Sequence, residues 1–227
     1  MPTVEAAAVR PMRYWEGIPV PFIAAWSGER IPPQPLALRV GRGGVGLGFQ
    51  DEDSHVDRQL GALWMRMPAT RSGRPQFEMV HALRQRQAMT RLLCQMCGGP
   101  TIGTRRDERT LFLLGSADGE PIADGEQTTS PPLHAACALL AVDHCPFLRK
   151  GWAAALVSHT PSWGVAGKLY DPDTLEAVPA PGRSGVHRVS FLDAERMRWI
   201  LASRLVVTLE GVERVTDLEE LALAPAP

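Results

Sequence analysis

Two short chelating pairs constrain this chain more than any other feature: Cys94 and Cys97 in LLCQMCGGP, then His134 and Cys137 in SPPLHAACALL after a gap of 36 residues. Each pair leaves two residues between its members, which is the reach of one turn around a metal ion. Thiolate and imidazole are favoured ligands of zinc, and a tetrahedral ion needs two such pairs brought together by folding. A chain that does this closes residues 98–133 into a loop tied at both ends. The expectation is therefore a structural Zn2+ site formed by Cys94, Cys97, His134 and Cys137. Four protein ligands fill the tetrahedron and leave no position for water, which disfavours a catalytic zinc. The competing reading is a set of buried free cysteines beside a surface histidine.

At 227 residues the chain is long enough to bury a sizeable core and short enough for one elaborated domain over 1–227. A formal net charge of −1 argues against polyanion binding by bulk electrostatics. Only Lys150 and Lys168 represent lysine among 24 basic residues, and with abundant Ala, Gly and Pro this is the composition of a GC-rich bacterial genome of the actinomycete type. The N-terminal stretch has no charged start followed by an apolar run, and no run of 18 apolar residues occurs, so a cytoplasmic protein is expected. In that reducing compartment, cysteines at ligand spacing read as metal ligands before disulfides.

Short apolar runs punctuated by Gly and Pro (GIPVPFIAAWSGE, PLALRVGRGGVGLGF, GALWMRM) predict strands in a β-rich flank over 10–67, with a hairpin turn at Gly43–Gly44. The pattern GxGxxG occurs at Gly41, Gly43 and Gly46, but GLGFQDEDSH follows it instead of a helix, which argues against a dinucleotide site. Residues 76–93 lack Gly and Pro and place Phe77, Val80, Leu83, Met89 and Leu92 mostly on one helical face, predicting a helix into the first cysteine pair. TLFLLG and GEPIADGE are expected as two short strands, and Pro131–Pro132 as the first turn of a second helix. A second β-rich flank over 150–216 follows, containing AAALV, SWGVAGKLYDPDTLEAV and SRLVVTLEGVERV, with a short helix, AERMRWILA over 194–202, capped by Asp193 between them. The last residues, LALAPAP, are expected to fray. The fold class predicted is α+β, with antiparallel sheet elements flanking the central metal-binding segment.

A CxxC-G turn, a β-hairpin, then a helix carrying the remaining ligands in its first turn resembles the treble-clef zinc-finger superfamily, over residues of about 92–148. The resemblance implies that Cys94 and Cys97 are knuckle ligands and that His134 and Cys137 are ligands at the helix start. His134 stands where many members carry cysteine, making the set Cys3His. The chain also resembles actinomycete proteins with a similar layout of Cys pairs. His144 and Cys145 lie seven and eight residues beyond Cys137, about 10–12 Å along a helix, too far to share the ion.

Two zinc-enzyme patterns fail on their residues. A nucleobase deaminase needs HxE, and neither SHVD at 54–57 nor VHAL at 80–83 supplies it. An HNH-type nuclease shares CQMCG and Val142-Asp143-His144, but its catalytic histidine belongs in the hairpin, and residues 98–130 contain none.

Ten arginines against Glu78, Asp107 and Glu108 between Arg58 and Arg109 surround the knuckle on both sides. Arg84, Arg86, Arg91, Arg105, Arg106 and Arg109 are the candidate phosphate contacts of a nucleic-acid-binding module, the alternatives being a solvated basic face or a protein partner. An enzyme is the competing class: the zinc would be a staple, and catalysis would reside in a pocket of the flanking sheet, where His159, Trp163, Tyr170 and His187 are candidates, or in a haem or thiol site at His144–Cys145. The plainer reading of Cys145 is a small apolar residue at a helix end stopped by Pro146.

Overall fold

A computed structural model of the protein describes residues 11–41, 43–182 and 185–223. The N-terminal third forms short strands, as its broken apolar runs require: β1 (Arg13–Trp15) and β2 (Ile18–Val20) in a hairpin, then β3 (Ala24–Trp26), then β4 (Leu36–Gly41) and β5 (Gly44–Phe49) in the hairpin expected at Gly43–Gly44. Residue 10, the first of the expected flank, lies outside the described residues. Of the GxGxxG glycines, Gly46 serves a close backbone approach. The Leu47 N–H donates to Arg198 O at 2.7 Å, and any Cβ at Gly46 would stand 2.8 Å from that same carbonyl oxygen. A single turn, α1 (Ser54–Asp57), leads to β6 (Arg58–Gln59) and β7 (Ala62–Trp64).

The helix expected over 76–93 is half strand. Residues of β8 (Pro75–Val80) pair with β3, and α2 (Ala82–Thr90) begins only after His81, whose Nδ1 accepts the Arg84 N–H. Five residues of QFEMV are too few to separate a period of 3.6 from a period of 2, so the available backbone partners decide. The His81 N–H extends the β3 pairing with a 2.8 Å bond to Ile23 O.

The central segment contains β9 (Thr110–Gly115), β10 (Gln127–Thr128) and α3 (Ala135–His144); the helix expected to open with Pro131–Pro132 starts only at Ala135, because Leu133 is held in a backbone bridge to Leu111. The hairpin expected between TLFLLG and GEPIADGE does not form. GEPIADGE is a loop that buries Ile122, while β9 and β10 pair with strands from the C-terminal flank. That flank comprises β11 (Trp152–His159), β12 (Ser162–Leu169), β13 (His187–Ser190), α4 (Ala194–Met197), β14 (Ile200–Thr208), β15 (Glu210–Val215) and α5 (Leu218–Leu223). Asp193 caps α4 as expected, accepting the Arg196 N–H at 3.0 Å, but the helix expected over 194–202 stops at Met197, and Ile200–Ala202 open β14 because β12 and β7 offer them backbone partners. The expected fraying from Leu221 is corrected: residues 221–223 complete α5, because Leu218 and Leu221 have an apolar surface to cover, and residues 224–227 lie outside the described residues.

The architecture is mixed α and β, with mostly antiparallel sheets, five α-helices and no barrel among the described residues. A six-stranded sheet runs β13-β12-β14-β7-β6 with β10 also on β14, and a three-stranded sheet runs β15-β11-β9. Strand alternation makes the three-stranded sheet a partition. On one side Phe112, Ala153, Ala155 and Val157 join Val165, Leu205 and Val207 of the six-stranded sheet; on the other Leu111, Leu113, Ala154 and Leu156 join Leu133, Ala138, Leu218 and the cysteines. The segment carrying the Cys/His cluster therefore sits in its own apolar compartment, roofed by α3 and α5. No helix among the described residues is long and apolar enough to cross a membrane.

Candidate metal centre

Cys94, Cys97, His134 and Cys137 converge, with their ligand atoms all within 4.8 Å of one another. Zinc–sulfur bonds of about 2.3 Å and zinc–nitrogen bonds of about 2.0 Å set tetrahedral edges of roughly 3.5–3.8 Å, so the cluster has the size of a metal-binding tetrahedron. The three cysteines are buried and the histidine is half-buried. The donor set, three sulfurs and one imidazole nitrogen, fits zinc by size and softness.

The first pair is shaped by backbone bonds. Cys94 N–H donates to Gly99 O at 2.7 Å, Gly98 N–H to Cys94 O at 2.8 Å, and Gly99 N–H reaches the Cys97 sulfur at 3.4 Å. This tight knuckle needs the left-handed backbone of Gly98, at φ +76°. The second pair is delivered by α3, with His134 at the N-cap and Cys137 in the first turn, where the positive end of the helix favours thiolate. Two bonds join the pairs to the rest of the fold: Gln95 N–H to Pro132 O at 2.9 Å, and Leu133 N–H to Leu111 O of β9, also at 2.9 Å.

The His134 ring is oriented from outside the cluster. Its Nε2 donates to Pro100 O at 2.8 Å, leaving Nδ1 to face the sulfurs of Cys97 at 3.4 Å and Cys137 at 3.9 Å. A carbonyl that holds one ring nitrogen protonated and presents the other to the ion is the usual outer support of a metal-bound histidine. Hydrogen bonds from Cys137 and Cys97 push the pKa of the Cys94 thiol down, and bonds to the Cys94 and Cys97 sulfurs push that of Cys137 up. Burial works against a charged His134, but bonds to the Cys94 and Cys97 sulfurs outweigh it and push its pKa up to about 10. A divalent cation would displace protons from these groups and offset the thiolate charge.

The six arginines singled out by the sequence have different fates. Arg84 is buried, donating through both Nη atoms to Glu29 at 2.6–2.7 Å and also to Ala24 O; its guanidinium does not lie on a surface. Arg86 lies half-buried over the Trp64 ring, 4.3 Å from its centroid, and burial lowers its pKa. Arg105 and Arg109 share Asp107, and Arg109 also pairs with Glu213. Arg91 and Arg106 are exposed.

His144 and Cys145 stand at the far end of α3, outside the metal cluster. Cys145 caps the helix, and His144 Nδ1 lies 3.1 Å from Leu140 O. His159 ends β11 in the three-stranded sheet. Trp163 and His187 belong to the six-stranded sheet, where His187 is buried with Nε2 3.1 Å from Val178 O, and Tyr170 follows β12. Sequence reasoning missed the Pro100 carbonyl and the Gly99 N–H as outer supports; their signal was the Gly-Gly-Pro directly after CQMC. Compared with models of protein families, with characterised proteins and with solved structures, the chain matches none.

Proposed function

We propose that the chain is one metal-stapled domain whose Cys94, Cys97, His134 and Cys137 hold a structural zinc in a treble-clef-like site, and that it works in the cytoplasm as a binding or regulatory module for nucleic acid. The observation that carries the zinc reading is the His134 ring, fixed by Pro100 so that Nδ1 faces the sulfurs. The knuckle and the helix start support the treble-clef likeness; the departure is β9, which pairs with β11 instead of closing a local hairpin. When bound, the ion would supply folding free energy to the compartment under α3 and α5. The nucleic-acid reading is supported by Arg91 and Arg106, the exposed members of the six arginines singled out over 58–109.

Elemental analysis with an absorption spectrum tests the metal, and a mobility-shift titration at several salt concentrations tests the ligand. One zinc per chain, no visible band and a salt-sensitive shift are expected. A Soret band or iron would move the chemistry to His144 and Cys145, and an absence of any shift would leave the partner to be sought among proteins.

A further inference from the structure

Arg204, in β14, is half-buried, yet among the described residues no hydrogen bond, ion pair or ring contact reaches its side chain. Other arginines drawn away from solvent are matched: Arg58 faces Glu52, Arg66 faces Asp57, Arg84 faces Glu29, and Arg86 lies over the Trp64 ring. Burial lowers the Arg204 pKa, and Arg188, a charge of the same sign, lowers it further. A guanidinium that is partly desolvated and unpaired costs free energy, and a second cation beside it raises that cost.

The sheet register sets both arginines on one face. Arg188 of β13 and Arg204 of β14 each stand directly opposite Ala166 of β12, so their side chains rise on either side of that alanine. In this row and the next, β12 presents only Ala166 and Gly164. Arg188 Nη1 donates to Gln127 O of β10 at 3.3 Å; β10 lies beyond β12 and β14, so the Arg188 side chain runs across the face towards the strand that bears Arg204. Among the described residues neither guanidinium has a carboxylate partner. Two such planar donors match phosphate oxygens, and a phosphate group, with a charge of about −1.5 to −2 near neutral pH, answers two cations better than one carboxylate does.

We propose that Arg188 and Arg204 form a phosphate-binding site on the six-stranded sheet, holding one phosphate group between their guanidinium groups. The site lies outside the Cys/His compartment and does not rest on the nucleic-acid reading. A free phosphate ester and a nucleic-acid backbone offer the same chemistry, and the test separates them.

Titration calorimetry at constant ionic strength tests the full-length, zinc-loaded protein with inorganic phosphate, with acetate, and with a single-stranded oligonucleotide. Arg204→Met keeps an apolar stem and removes the charge; Arg188→Ala, at an exposed position, guards against a folding defect in the first variant; Arg106→Ala, also exposed, is the control. The expected result is phosphate binding by the parent that weakens roughly tenfold in Arg204→Met and in Arg188→Ala but not in Arg106→Ala. Without added anion, Arg204→Met should melt no lower than the parent, since it removes an unpaired charge; a lower melting temperature would overturn the premise. No phosphate binding by the parent, or equal binding by the parent and both variants, would overturn the site. Acetate binding as tightly as phosphate would overturn the preference for a dianion. Oligonucleotide binding that weakens in the same two variants would assign the phosphate to a nucleic-acid backbone, whereas oligonucleotide binding that is absent or unchanged would keep the site for free phosphate esters.

Discussion

The Gln85 side chain serves Leu205 as a neighbouring strand would. Its Oε1 accepts the Leu205 N–H at 2.8 Å, and its Nε2 donates to the Leu205 carbonyl at 3.0 Å and to Thr129 O at 2.8 Å. On this edge β14 pairs with β7 at Leu201–Ala202 and with β10 at Val207–Thr208, so Leu205 falls in the gap between two partners. A fully buried amide from α2 fills it.

Replacing this amide with an apolar group of similar size, Gln85→Leu, leaves a buried donor and acceptor unpaired. The expected loss is about 2–6 kcal/mol, at about 1–3 kcal/mol for each of the two Leu205 groups. Urea unfolding reads the loss, and the Leu205 amide should lose hydrogen-exchange protection before its neighbours do. Unchanged protection at Leu205 would show that the strand edge is held without Gln85.

Cys94→Ser and His134→Ala each remove a ligand from the cluster and should lose stoichiometric zinc and lower the melting temperature, because the ion contributes folding free energy. Cys145→Ser should retain one zinc per chain, since Cys145 caps α3 at the end remote from the ligands. Metal analysis beside thermal unfolding checks all three, and metal loss from the Cys145 variant would show the ligand set to be wrong.

Glu29 supplies an acid-sensitive contribution. Burial raises its pKa, but the Arg84 guanidinium and the N–H groups of Arg71 and Trp26 outweigh it and hold the carboxyl down at about 2, from 4.5. A depressed carboxyl stabilises the fold in full above about pH 4.5 and loses that contribution, of about 3 kcal/mol, as pH falls through about 2. Burial lowers the pKa of neighbouring His81, whose Nε2 donates to Pro68 O and whose Nδ1 accepts from Arg84 N–H. Glu29→Gln leaves the buried guanidinium uncompensated, a cost of about 3–5 kcal/mol near neutral pH. The gap between parent and variant in urea midpoint should shrink as pH is lowered; a constant gap would assign the acid sensitivity elsewhere.

Gly98→Ala should damage the knuckle and its neighbour together. The left-handed φ of +76° disfavours any side chain, and the new Cβ would meet the Phe22 ring at 2.4 Å. A drop in melting temperature with weakened zinc retention is expected, whereas Gly103→Ala, also at positive φ but with open space around it, should cost less. Equal effects of the two substitutions would make backbone strain, and not the Phe22 contact, the cause.

Features encoded within a few neighbouring residues were legible in the sequence. The CxxC and HxxC spacings, the Gly43–Gly44 turn, the Asp193 cap and the strands over 153–157 and 203–208 each follow from local chain geometry, whereas 200–202, expected as the end of a helix, became the start of β14. Tertiary structure decided whatever depended on a distant partner. It made a strand of 75–80 because β3 offered a ladder, turned 119–126 into a loop because β9 paired with β11 instead, and completed α5 because α3 left an apolar face to cover. It also joined Glu29 to Arg84, Gln85 to Leu205 and Phe22 to Gly98, pairs 55, 120 and 76 positions apart. Local propensity selects among conformations that differ by little per residue, whereas an unpaired buried backbone group or charge costs several times as much, so long-range partners overrule short-range preference.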